Sequence, residues 1–143
     1  MTNGELGQIS EMTLMVGLFM ISIGTYLGGV WANESWGRYW GWDAKETWAL
    51  VTILIYAFIL HMRFIPGLRG AYAFNVATLF GWASVIMTYF GVNYYLSGLH
   101  SYAAGDPVPI PSFVYYAVGI LTGISLLAYW RNRSLASSVG SRV

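Results

Sequence analysis

Cysteine is absent from this chain. That removes disulfides, thiolate metal sites and a cysteine nucleophile, and it removes the Cys-x-x-Cys-His sequence through which some proteins hold a prosthetic group covalently. Charge is nearly as scarce. Asp, Glu, Lys and Arg make up 9% of the 143 residues, against about a quarter in a soluble domain. So little charge does not clothe a water-facing surface, which disfavours a soluble enzyme, a nucleic-acid binder and a disordered tail. The net charge of +1 pools into no basic or acidic patch. Internal repeats and low-complexity segments are missing, and the length suits one domain. Ahead of the first apolar segment stand Glu5 and Glu11 rather than a basic stretch, and no small-residue cleavage site follows. That segment is expected to stay in the mature protein.

What the chain has is apolar length. Hydrophobic residues are 57% of it, and four segments, about 12–31, 45–64, 72–96 and 112–130, are each long enough to cross a bilayer core as a helix, which takes about 20 residues. Strands are disfavoured, because four of them cannot close a barrel and would leave edges in lipid. The expected fold is an all-α polytopic membrane helix bundle in one domain, residues 1–143, with a tryptophan-rich external loop. Arg63 and Arg69 lie between spans two and three, and Arg131, Arg133 and Arg142 follow span four. The positive-inside bias puts these ends, the C-terminus included, in the cytoplasm. The connections 32–44 and 97–111 then face outward. Arg38 and Lys45 stand on the outer side against the bias, which marks them as site residues. Gly24 with Gly28 and Gly119 with Gly123 repeat at four-residue spacing and predict close helix packing. The prolines of Asp106-Pro107-Val108-Pro109-Ile110-Pro111 predict a stiff connector that places span four.

Tryptophan is concentrated in the opposite way. Five of the seven fall within residues 31–48: Trp31, Trp36, Trp40, Trp42 and Trp48. Aromatic residues often ring a membrane interface, but a belt spreads around all helices and does not gather in one loop with Gly37 and Gly41 between the rings. Those glycines allow tight turns, and the outcome predicted is a flat shelf of indoles. A shelf suits a large flat apolar ligand with a polar edge: a porphyrin fits better than a quinone or a lipid headgroup. The residues by themselves leave belt and shelf both open. Asp43-Ala44-Lys45-Glu46 reads as a helix start, with Asp43 as N-cap and Glu46 reaching back. Arg38 and Lys45 would pair with porphyrin propionates or with Glu34, Asp43 or Glu46, and the sequence does not choose.

Two histidines complete the candidates. His100 follows span three on the side of the tryptophan loop, either as a solvated loop residue or as an axial haem ligand. His61 is near the inner end of span two, ~27 Å from Asp43 at helical rise, so one haem cannot touch both. It serves a second site within the membrane or anchors the interface with Arg63. Tyr89, Asn93, Tyr94 and Tyr95 gather at the outer end of span three, lining the same cavity or forming part of a belt.

Trp36-Gly-Arg38-Tyr39-Trp40-Gly-Trp42-Asp43-Ala-Lys45-Glu46-Thr-Trp48 resembles the tryptophan-rich "WWD" signature of haem-handling membrane proteins. Leu60-His61-Met62-Arg63 and Phe90-Gly-Val-Asn93, with Gly98-Leu99-His100-Ser-Tyr102 beyond, resemble the CcsA/ResC branch, the haem-handling subunit of the system II cytochrome c synthetase. The likeness runs from about Gly24 to His100, with its three motifs in order. It departs where the family usually has Pro, at Ala44, and often Trp, at Ile53.

The resemblance implies the following. The loop binds non-covalent haem b through Trp36, Arg38, Tyr39, Trp40, Trp42, Asp43 and Trp48. His100 is one axial ligand, and His61 is a membrane-embedded ligand on the delivery route. Haem is then presented for thioether formation with a Cys-x-x-Cys-His apocytochrome c. No residue here is itself catalytic, and whether the chain counts as an enzyme depends on its being part of a haem lyase complex. A ResB-like membrane subunit and a thiol-reductant system are expected as partners, nucleic acid is not, and the bacterial inner membrane is the expected location, with the loop and His100 on the periplasmic face. The family supplies a further external histidine and further spans ahead of the loop, so the chain is expected to correspond to a carboxy-terminal part. The competing readings are a transport subunit for haem or another flat ligand without ligation, and a structural membrane subunit.

Overall fold

The structure is a computed structural model that describes residues 3–96 and 109–140. Among them the regular elements are all helical. The first helix, α1 (Asn3–Trp36), is followed by α2 (Ala44–His61), a short 3₁₀ turn (Met62–Phe64), α3 (Ala71–Ile86), a single π turn (Met87–Gly91), α4 (Val92–Tyr95) and α5 (Ser112–Gly140). Four helical stretches are long and apolar enough to cross a membrane: Gly4–Trp36, Ala44–Phe64, Ala71–Tyr95 and Ser112–Ser134. The first runs past the expected 12–31 at both ends, because Gly4 to Glu11 holds no proline and α1 stops only at Gly37. Gly37 takes a positive φ of 70° and returns its N–H to Asn33 O at 2.8 Å, the glycine C-terminus of a helix.

Contacts divide the chain into two units, Met1–Pro107 and Val108–Val143. In the first, α2 is the central element and packs on α1 along one side and on α3 and the π turn along the other. Helices α2 and α3 approach closely at Gly81. A Cβ there would stand 3.0 Å from Ile59 Cδ1 and 3.3 Å from the Tyr56 ring, so glycine is what lets the two helices meet. Large apolar side chains cover the outward faces: Phe19, Leu27, Phe58 and Trp82 are all more than half exposed, as lipid contact requires.

Several polar groups within these apolar helices are paired within their own helix. In α1, Thr13, Ser22 and Thr25 each donate a hydroxyl to the carbonyl four residues back, which satisfies them without a partner helix. Across the α2–α3 seam, Thr88 Oγ1 lies 2.7 Å from Ser84 O, 3.1 Å from Trp48 O and 2.9 Å from the buried Thr52 Oγ1. Thr88 has one proton for the two carbonyls, so Thr52 is the donor between the hydroxyls. Thr88 sits in the π turn, where the helix widens and Gly91 leaves room for the Met87 side chain.

The second unit is described on its own. Pro109 and Pro111 precede α5, and Pro111 O receives Val114 N–H at 3.0 Å. Thr122 and Ser125 bond back to their own helix, and Arg133 lies 5.5 Å over the Tyr129 ring. The expectation of close packing through Gly24 and Gly28 is not met among the described residues of the first unit, where nothing lies within 4 Å of a Cβ built on either. Spacing alone does not say which face of a helix meets a neighbour, and Gly29 and Gly81 carry the close approaches instead.

Candidate functional site

Helix α1 ends at Trp36 and α2 begins at Ala44, so the loop proper is 37–43, while Trp31, Trp36 and Trp48 ride on its flanking helices. Asp43 caps α2. Its Oδ1 accepts the Lys45 N–H at 3.2 Å, and both halves of a capping box with Glu46 are present. This is the cap that Asp43-x-x-Glu46 signals in the sequence.

Glu46 does more than close that box. Its Oε2 accepts the Gly41 N–H at 2.7 Å and the Asp43 N–H at 3.2 Å, and its Oε1 takes Arg38 Nη1 at 3.2 Å. Of the acidic partners the sequence left open for Arg38, the structure selects Glu46. Lys45 turns instead to Asn93, with Nζ 3.3 Å from Oδ1. Asn93 is buried on α4, so this bond joins the start of α2 to the end of the third span. Tyr89, Tyr94 and Tyr95 stay exposed. Phe90 meets Tyr89 edge-on and stacks on Tyr94.

The loop folds back on α1. The Tyr39 carbonyl oxygen lies where a Cβ on Gly29 would be 3.0 Å away, so a side chain at 29 would press on it. Under this fold-back is a mostly apolar cavity of about 260 Å³. Thr25, Gly28, Trp31, Trp40, Lys45 and Ala49 are among the residues around it. Trp42 has φ 56°, the left-handed region that non-glycine residues rarely take. Its indole is 71% exposed and Tyr39 is 63% exposed.

The predicted flat shelf is not what the indoles form. Trp40 and Trp42 meet at 89° with centroids 5.8 Å apart, and Trp31 and Trp36 at 81° and 5.0 Å. Edge-to-face contact sets a positive ring edge on a negative ring face. The outcome is a set of perpendicular walls, with the Arg38 guanidinium 5.8 Å over Trp36. Trp36, Arg38, Tyr39, Trp40, Trp42, Asp43 and Trp48 therefore lie on one connected loop-and-helix segment.

His61 is at the other end of α2, exposed, with Nδ1 2.6 Å from Ala57 O. A carbonyl only accepts, so Nδ1–H is the donor in this bond. Nearby, Glu11 of α1 forms an ion pair with Arg63, which also lies 5.1 Å over the Phe64 ring. A cavity of about 530 Å³ opens beside this pair, among Leu6, Glu11, Leu60, Arg63, Arg69 and Phe74. His100 lies outside the described residues. The Lys45–Asn93, Thr52–Thr88 and Glu11–Arg63 links were not read from the sequence. Each joins residues 36 or more apart, and no local spacing announces them.

Comparison with known proteins gives one consistent result. The cytochrome C assembly protein family matches residues 2–100. Protein NrfI of Wolinella succinogenes is 55% identical over 125 residues, 87% of this chain and 14% of that protein. The cytochrome c biogenesis protein CcsA of Synechococcus sp. strain CC9605 is 46% identical over 101 residues, 71% of this chain and 33% of the relative. CcsA of Cyanophora paradoxa is 47% identical over 98 residues, 68% and 30%. The chain thus spans a third or less of the length of these relatives.

Proposed function

The chain belongs to the cytochrome C assembly protein family, and on that premise we propose that its tryptophan end binds haem b and holds it for attachment to an apocytochrome c. The observation that carries this is Trp42. Its backbone is in a region that costs on the order of 1–3 kcal/mol, yet its indole faces outward. A membrane belt needs no such conformation, since an interfacial indole is as well placed on a relaxed backbone. Strain held in place by hydrogen bonds and spent on presenting a ring supports a ligand for that ring.

The residues present fit a porphyrin. Trp42 and Tyr39 offer apolar surface for a flat macrocycle, and Trp40 backs them beside the cavity. Arg38 keeps 29% of its side chain exposed and supplies a cation for a propionate. At the far end of α2, the Nδ1–H of His61 is held by Ala57 O, leaving Nε2 for an iron at a separate, membrane-embedded site. His100 is the axial ligand that the family resemblance implies for the tryptophan end. Haem, when bound, supplies the vinyl carbons to which the apocytochrome's two thiols add. The chain's own residues orient the ligand and keep its edge accessible, which is where proximity contributes to rate. The proposal places the tryptophan end on the periplasmic face of a bacterial inner membrane. It takes a ResB-like subunit, a thiol reductant and a Cys-x-x-Cys-His apocytochrome as partners in system II maturation.

The test is the absorption spectrum of the chain purified in mild detergent from a haem-producing bacterium. A Soret band that weakens or shifts in His100→Ala, and separately in His61→Ala, is expected. A Soret band of unchanged position and intensity in both variants sinks the ligand assignments. Absence of the band even when haem is added in excess sinks haem binding by this chain.

A further inference from the structure

Gly41 N–H and Asp43 N–H stand on either side of left-handed Trp42 and converge on one atom, Glu46 Oε2, at 2.7 and 3.2 Å. Two backbone N–H groups so arranged form a small anion-binding concavity. Here the chain fills it with its own carboxylate. The other oxygen, Oε1, draws Arg38 across Gly41, and a Cβ on Gly41 would collide with the Arg38 guanidinium. Glycine at 41 therefore answers to the path of Arg38. A capping box needs only the Asp43 N–H, so the Gly41 N–H and the Arg38 pair are additional work for the same side chain. The Glu46 side chain is 10% exposed.

We propose that Glu46 is the positioning residue of the tryptophan end. It holds Trp42 left-handed and Arg38 over Gly41, and so sets where the outward indole and the nearest cation stand. It touches no ligand itself and acts through those two residues. The proposal rests on the haem-binding reading for its consequence, but its structural half is measurable without haem. Left-handed Trp42 is sterically disfavoured, and the convergence of both flanking N–H groups on a carboxylate offsets that. Without the carboxylate the backbone relaxes and the perpendicular Trp40–Trp42 pair is lost.

The experiment uses this chain in mild detergent as wild type, Glu46→Ala, Glu46→Gln and Trp42→Gly. Helix content is followed by far-ultraviolet circular dichroism and the indole pair by the near-ultraviolet signal. Without haem, Glu46→Ala is expected to keep its helix content and lose the near-ultraviolet signal of the pair. Formate, a carboxylate small enough for the vacated space, restores it, and Glu46→Gln falls between. With haem, Glu46→Ala raises the Kd about tenfold, the scale of lost hydrogen bonds to a charged group, and formate lowers it again. Adding Glu46→Ala to Trp42→Gly costs less affinity than Glu46→Ala costs the wild type, because only the route through Arg38 remains.

An unchanged near-ultraviolet signal in Glu46→Ala overturns the proposal. So does a lost signal that formate does not restore, because that is damage to the fold. Additive costs of Glu46→Ala and Trp42→Gly overturn it as well. If the wild type binds no haem while the formate-dependent signal is as expected, haem binding fails and the positioning role stands.

Discussion

The two ends of the first unit hold their polar groups by different means. At the tryptophan end, Arg38, Gly41, Asp43 and Glu46 are close in sequence and share one nearly buried carboxylate, with backbone N–H groups among the donors. At the arginine end, Glu11 and Arg63 are 52 residues apart, joined by the tips of two flexible side chains, and the Arg63 side chain is 58% exposed. Backbone bonds to a shielded carboxylate fix a shape. A tip-to-tip pair in water joins two elements but leaves their geometry adjustable. The difference teaches that the tryptophan end holds its groups in set positions, while the Glu11–Arg63 pair links α1 to the turn after α2.

Four substitutions break or sharpen that contrast. The largest effect is expected at Gly29, where the loop backbone rests on α1. Gly29→Val pushes on Tyr39 O, and overpacking of this kind costs about 1–3 kcal/mol. Gly28→Val, one residue away with nothing within 4 Å of its Cβ, is expected to leave stability nearly unchanged. Denaturation of the two variants in detergent compares them, and equal stabilities would mean that the fold-back is not a fixed contact.

Next comes the cap. Asp43→Ala leaves the first turn of α2 short of an acceptor and is expected to lower stability by about 1 kcal/mol. Hydrogen exchange should speed up at Lys45 and Glu46 and not at the His61 end of the same helix. Exchange rising evenly along α2 would deny that the tryptophan end is held locally.

The smallest effect belongs to the arginine end. Glu11→Gln is expected to cost less than about 1 kcal/mol, and the difference from wild type should shrink further in high salt, which screens exposed charges. A loss larger than that of Asp43→Ala, or one insensitive to salt, would make this pair a fixed structural element and erase the contrast.

Much of this was legible in the residues. Apolar runs with almost no interior charge admit few structures but spanning helices, because in lipid every backbone group must be bonded within its own segment. Asp43 and Glu46 announced their cap at three-residue spacing, since a helix start is a local event. The grouping of tryptophans placed them together in one loop and its flanks but did not give the form they take. Rings crowded together prefer edge-to-face contact, and the flat shelf expected of them is a set of perpendicular walls. The glycine pairs at 24 and 28 were misread for a related reason: a repeat shows that a face is small and not what it faces.

By itself, then, the sequence determined the all-helical membrane character, the family, the place of the tryptophan loop between two spans and the cap that starts α2. The family follows from the likeness of motifs spread from about Gly24 to His100, and the rest from composition or from residues a few positions apart. Only the tertiary structure decided that Trp42 is left-handed and that Glu46 binds both flanking N–H groups. It alone chose Glu46 for Arg38 and Asn93 for Lys45, and Gly29 rather than Gly28 as the seat of the loop. These choices depend on how one turn redirects the chain and on which helix faces then meet. Each is settled by a balance of steric room and hydrogen bonding that exists only once the helices are packed.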